Sequence, residues 1–164
     1  MKRTMTAVLL TMALLLTGST ALADTFSFAK SQLEYTYDVE WTMERKGGKV
    51  KLISTDKALI LIFSELEGAP DLAETSVKAG LKATGCTDEV KSSGERRKYN
   101  NIETSSFVCN GDIKGKKTLN VAFLYTSPVS GKYVFAYMIE LRKPSEGVKK
   151  SALKLIKGVK ALKK

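Results

Sequence analysis

The chain contains no histidine, which removes the usual general base of serine and cysteine hydrolases and the commonest transition-metal ligand. Ser-x-x-Lys, the nucleophile pattern of penicillin-binding enzymes and related lactamases, occurs as Ser27–Lys30, Ser54–Lys57 and Ser151–Lys154. With 14 serines and 22 lysines among 164 residues, chance alone produces about two such spacings, and the companion motifs of those enzymes are missing. Two carboxylate pairs stand out, Glu65 with Glu67 and Asp88 with Glu89. For Glu65 and Glu67 a spacing of two puts both acids on one face of a strand, which suits acid/base work or calcium, but neither this pair nor the adjacent Asp88 and Glu89 has the ligand density of a calcium loop. Solvated strand ends are the expected reading, because acids lie mostly at surfaces. Gly111–Lys117 bears glycine and lysine without the Walker spacing and reads as a basic hairpin tip. The chemistry therefore points away from an enzyme, with no catalytic, cofactor-binding or metal site expected.

Two cysteines, Cys86 and Cys109, complete the reactive inventory. A redox pair would normally be Cys-x-x-Cys and a zinc site would want more ligands. The first residues read as a removable leader: Lys2 and Arg3, an apolar run Ala7–Leu16, and the small-residue site Ala21-Leu22-Ala23. Cleavage is expected after Ala23, leaving residues 24–164 as a single domain in the periplasm or outside the cell. In that oxidising space a structural Cys86–Cys109 disulfide is expected. The leader run is well short of the ~20 residues that span a bilayer, so no transmembrane segment is expected. Charge is uneven: residues 24–141 hold 16 basic and 16 acidic residues, whereas residues 142–164 hold nine basic and one acidic.

Strands must position these groups. In Lys132–Leu141 both parities are apolar, which reads as a central strand, paired through Ser127–Gly131 with Lys116–Thr126. Leu33 to Met43 alternates with polar residues and reads as one half-buried strand. Its aromatic face, Tyr35, Tyr37 and Trp41, is shared with aliphatics and is expected to be core rather than a stacking platform, so no nucleic-acid partner is expected. Gly47-Gly48 predicts a hairpin into Lys49–Ser54, and Ala58–Leu66 reads as an inner strand. Asp71 as N-cap and Gly85 as C-cap predict a helix over about 71–84. Strands over 87–99 and 102–109 follow, with turns at Asn100-Asn101 and Asn110-Gly111. Arg45-Lys46, Arg96-Arg97-Lys98 and Lys114, Lys116 and Lys117 all fall near turns, where they could gather at one end of the sheet or serve as dispersed solubilising charge.

After Pro144, Val148, Ala152, Leu155, Val159 and Leu162 recur at helical spacing with Ile156 beside them, while Lys149, Lys150, Lys154, Lys157, Lys160 and Lys164 fall on the opposite arc. The stripe could dock on the sheet, bind an anionic membrane or envelope polysaccharide, or pair with another copy. Two heptads are too few for a coiled coil, and Gly147 and Gly158 weaken an isolated helix by about 1 kcal/mol each. Docking is expected, with the lysine face left free for polyanions.

The resulting order is βββ-α-ββββ-α, an α+β class with a mostly antiparallel sheet of about seven strands and two helices. That order, with its Trp-bearing early hairpin and closing helix, resembles the PsbP-like αβα sandwich over most of residues 24–164. The resemblance implies a non-catalytic accessory or partner-binding domain and assigns no functional residue. A protein partner or an anionic envelope component is the expected ligand.

Overall fold

The computed structural model describes residues 23–66 and 70–162. The expected leader up to Leu22, Glu67 and Lys164 lie outside these residues. The elements are β1 (Asp24–Phe28), β2 (Leu33–Tyr37), β3 (Trp41–Lys46), β4 (Lys49–Ser54), β5 (Leu59–Leu66), α1 (Pro70–Ala83), β6 (Lys91–Tyr99), β7 (Ile102–Ile113), β8 (Lys116–Thr126), β9 (Tyr133–Glu140), α2 (Glu146–Lys157) and β10 (Lys160–Ala161). Seven strands form an antiparallel sheet in the order β3-β4-β5-β9-β8-β7-β6, and β1-β2-β10 form a second, smaller one. The α+β class and the seven-stranded sheet are as expected. The strand content differs, because β1 and β10 were not anticipated and the first predicted strand is two.

β9 is central in the large sheet, as its two apolar parities require. Val134 and Ala136 join a core with the small sheet and α2, while Tyr133 and Tyr137 join a second core under α1. The α1 core also depends on Gly80, where an added Cβ would overlap the Tyr137 hydroxyl. α1 opens at Pro70, one residue ahead of the expected start, and Gly85 follows it at φ 93°.

Three expectations are corrected. The alternation from Leu33 to Met43 is broken by a corner at Asp38–Glu40, where the Trp41 amide donates to the Asp38 carbonyl (3.2 Å) and Val39 is 62% exposed. β2 and β3 belong to different sheets, but both pack on one core with the same parity inward, so the pattern runs through the corner unchanged.

Asn110-Gly111 is not a turn; it lies inside β7, and the hairpin is made by Lys114-Gly115 at φ 54° and 79°. Gly111 is required for another reason. A Cβ there would stand 2.5 Å from Asn120 Nδ2 and 2.7 Å from the Gly85 carbonyl, because the segment after α1 bridges to β7 at Cys86 and Gly111.

The last helix stops at Lys157, where the Gly158 amide donates to the Lys154 carbonyl (2.8 Å). Val159 is buried beyond the helix end, Lys160–Ala161 pairs with β2, and the Leu162 amide donates to the Gln32 carbonyl (2.8 Å). The continued apolar spacing reflects a strand that follows the helix.

Docking of α2 is observed. Val148, Ala152, Leu155 and Ile156 are buried in the core with the small sheet. Ser145 caps the helix by accepting from the Val148 amide (3.3 Å). Asp56, in the β4–β5 turn, ties the same end down by accepting from the Ser145 amide (3.0 Å), Ser54 Oγ (2.7 Å) and the Ala58 amide (2.9 Å). The bond from the Ser145 backbone, then that from Ser54, holds its carboxyl down to about 2. A carboxyl depressed in the folded state stabilises the fold fully above its unfolded value near 4, and that stabilisation is lost as pH falls toward 2. Asp56→Asn is therefore expected to flatten the acid limb of a melting-temperature profile between about pH 4 and 2. An unchanged profile would show that the turn does not anchor α2.

Candidate functional site

Two of the three serines of the Ser-x-x-Lys spacings, Ser151 and Ser54, are placed by structural bonds. Ser151 Oγ donates to Asp38 Oδ1 (2.6 Å) and accepts from Trp41 Nε1 (2.7 Å), pinning α2 to the β2–β3 corner. Ser54 Oγ donates to Asp56 and accepts from the Ala58 and Leu59 amides (3.1 and 3.0 Å). Ser27 is exposed on β1. Glu65 accepts from the Ser31 amide (2.7 Å), and Asp88 from Asn110 Nδ2 (2.7 Å). Among the described residues, no group of three or more His, Cys, Asp or Glu could hold a metal ion. The disulfide Cys86–Cys109 is formed, joining the segment after α1 to β7. Tyr35 and Trp41 are buried and Tyr37 half-buried, so this aromatic face is core.

Lys150, Lys154 and Lys157 are exposed on the outer arc of α2, whereas Lys149 pairs with Glu146 (2.7 Å). Lys160 is exposed on β10, one turn of chain beyond the helix. The turn-borne cations do not gather at a single end of the sheet. The β3–β4 hairpin with Arg45 and Lys46 and the β6–β7 turn with Lys98 lie at one end; Lys114, Lys116 and Lys117 lie at the other, as the strand registers require.

Strand register also reveals an apolar surface that hydrophobic periodicity did not single out. On the α2 side of the large sheet, Leu61, Met138, Val121 and Val108 stand in one row across β5, β9, β8 and β7, and Phe63, Ala136, Phe123 and Ser106 in the next. Leu61, Phe63 and Ala136 are fully buried; Met138, Val121, Phe123 and Val108 are only half-buried. In the adjoining row, Leu59, Glu140, Leu119 and Asn110, Leu59 is buried and Leu119 is 39% exposed, and the polar Glu140 and Asn110 border the apolar rows at this end. Burial thus falls from β5 toward β7, because the small sheet, whose Phe26 and Tyr35 rings lie 5.0 and 4.9 Å from Phe63, and α2 together cover the β5 half of the face. Ser151 faces Trp41 on one flank of α2, and Ile156 lies on the other, where its carbonyl accepts from Tyr125 Oη of β8 (3.2 Å). Leu153, 53% exposed, shares that second flank by helical spacing with Lys149 and Ile156. The result is an apolar shelf on β7–β8–β9 beside one flank of α2. A contiguous apolar surface of this kind marks an interaction site more than scattered single residues do.

No family model and no curated protein matches the chain. Solved structures do. The Ran-binding protein Mog1p of Saccharomyces cerevisiae is similar with a TM-score of 0.58 and 6% identity, over 87% of this chain and 96% of Mog1p. LpqN, involved in cell envelope biogenesis of Mycobacterium tuberculosis, is similar with a TM-score of 0.51 and 13% identity, over 87% and 86% of the two chains. A protein from Bacteroides thetaiotaomicron VPI-5482 gives 0.53 and 15% over 85% of this chain; the match spans 48% of that protein, about half its length. At these identities the likeness is one of fold. The chain has an α+β fold shared with Mog1p and LpqN, which fits the PsbP-like order of elements.

Proposed function

We propose that this chain is a non-catalytic, extracytoplasmic partner-binding domain whose shelf receives an apolar segment of another protein. The carrying observation is the fall in burial across β5, β9, β8 and β7, which leaves Val121, Phe123, Met138, Leu119 and Leu153 short of cover. Support comes also from the fold: Mog1p is a Ran-binding protein and LpqN acts in cell envelope biogenesis. The disulfide fits an oxidising compartment, and no helix among the described residues is long and apolar enough to cross a membrane. A second reading rests on Lys150, Lys154 and Lys157, exposed on one arc of α2, which suit an anionic membrane or envelope polysaccharide.

The two readings separate by experiment. A photo-crosslinker at Ser106, opposite Phe123 on the same face, is expected to capture one discrete envelope protein. Leu119→Asp combined with Leu153→Asp is expected to reduce that capture at least about tenfold, as loss of central apolar anchors does, with little change in melting temperature because both sites are exposed. Capture unaffected by the pair would remove the shelf reading. No captured protein, together with attachment to anionic vesicles or polysaccharide that is lost on reversing Lys150, Lys154 and Lys157 to Glu, would put the polyanion reading in its place.

A further inference from the structure

We infer that a second site, at the end of the large sheet bearing the β4–β5 turn and the β7–β8 hairpin, binds a phosphate-bearing ligand that also carries an apolar group. A groove of about 680 Å³ there is lined by Lys57, Ile113, Lys114, Lys116, Leu141 and Arg142. Every polar side chain in this lining is a cation. Three other surface grooves each include a carboxylate: Glu44, Glu65, or Glu74 with Glu103. Of the acids adjacent in the chain, Asp56 and Asp112 are bound into turns, and Glu140 stands half-buried on β9 between Leu59 and Leu119 rather than in this lining. Asp56 accepts from Ser54, Ala58 and Ser145, and Asp112 Oδ1 from the Gly115 amide (2.7 Å). Four like charges around one groove repel one another, and a multivalent anion relieves that repulsion.

Backbone geometry points to the same place independently of charge. Lys57 and Lys114 both adopt left-handed conformations, at φ 55° and 54°, where Gly, Asn or Asp is normally favoured. The chain uses Gly47-Gly48 and Asn100-Asn101 for such positions at other turns. Of the three described non-glycine residues in this region that are not asparagine, Gln32, Lys57 and Lys114, two border this groove. Local stability is thus given up at two separate turns to place long cationic side chains at one site. Arg142 is held there as well, with Nη2 donating to the Asp56 carbonyl, and its remaining guanidinium donors suit the bidentate geometry of a phosphate. Ile113 and Leu141 supply the apolar part of the lining.

The test uses the purified protein in its native processed form. Inorganic tripolyphosphate is titrated by calorimetry, and vesicles of phosphatidylcholine with about 30% phosphatidylglycerol are tested by co-sedimentation, both at about 0.15 M salt, where the Debye length is about 8 Å. Binding to either probe is expected to weaken at least tenfold when Lys57→Asn and Lys114→Asn are combined. The same pair is expected to raise the melting temperature by about 2–4 °C, because asparagine tolerates the left-handed region. A merely destabilised protein would not combine those two changes. Reversing Lys150, Lys154 and Lys157 to Glu is expected to leave the affinity within about twofold, because exposed charges on a different element are screened from the groove. Binding to tripolyphosphate identifies a soluble phosphate compound as the source, and binding confined to vesicles identifies a lipid headgroup. The proposal is overturned if neither probe binds, if affinity is unchanged in the asparagine pair, or if binding depends instead on the α2 lysines.

Discussion

Leu155→Asp is expected to destabilise the domain by about 5 kcal/mol or more, combining the 2–5 kcal/mol of a truncated core leucine with the cost of a buried, unpaired carboxylate. Leu155 is 1% exposed and belongs to the core that α2 shares with β1, β2 and the large sheet. A loss of that size rivals the whole stability of a typical domain, about 5–15 kcal/mol, so much of the population should be unfolded at room temperature. Urea denaturation followed by far-ultraviolet dichroism would read it. Ile156→Asp should behave alike, since Ile156 is 3% exposed and its carbonyl is the acceptor for Tyr125 Oη. By contrast, Lys150→Glu, Lys154→Glu and Lys157→Glu should each stay within about 0.5 kcal/mol, because exposed charges contribute little. A midpoint that does not move in the Asp variants would mean that α2 does not cover the sheet. The proposed shelf would then lose its wall.

Removing the Cys86–Cys109 bond is the second large effect. The two cysteines are 23 residues apart in sequence, so in the chain-entropy model the cross-link stabilises the fold by about 3 kcal/mol by restricting the unfolded chain. Its position suggests a local consequence too. Cys86 lies immediately after Gly85, beside Gly111 of β7, and the Asp112 amide donates to the Gly85 carbonyl (2.9 Å). Replacing both cysteines by alanine should lower the unfolding free energy by that amount, with a lower denaturation midpoint, and raise hydrogen exchange first at the end of α1. Serine at position 109 should cost more than alanine, because Cys109 is 4% exposed and a hydroxyl there would need a partner. Reduction of the unmodified protein should reproduce the alanine result. A midpoint unchanged by both treatments would show that α1 and β7 hold together without the bond.

The Lys57–Arg142 groove adjoins the shelf, because Leu119 and Lys116 lie at the same end of β8 and Asp56, beside Lys57, holds the start of α2. The domain would thus meet its partner and an anionic ligand on neighbouring surfaces. Loss of either activity leaves the other testable.

How much of this was legible in the sequence follows from the range of each interaction. Apolar runs filled on both parities found β5, β8 and β9, the Gly47-Gly48 turn found β4, and the i, i+3, i+4 stripe found α2 and its buried face, because all these patterns depend on near neighbours in the chain. The cysteine pairing was legible for another reason: with two cysteines in the whole chain, only one intramolecular bond is possible. The corner at Asp38–Glu40 was invisible because both sheets bury the same parity. Asn110-Gly111 read as a turn because a glycine needed for close approach looks the same in sequence as one needed for positive φ. The candidate sites were the least legible of all. Val108, Val121 and Met138 form one surface only once β7, β8 and β9 are in register, and Lys57, Lys114 and Arg142 meet only because the β4–β5 turn, the β7–β8 hairpin and the end of β9 come to one end of the sheet. Local spacing determined which residues face inward. Long-range strand pairing alone decided which of the outward ones stand together.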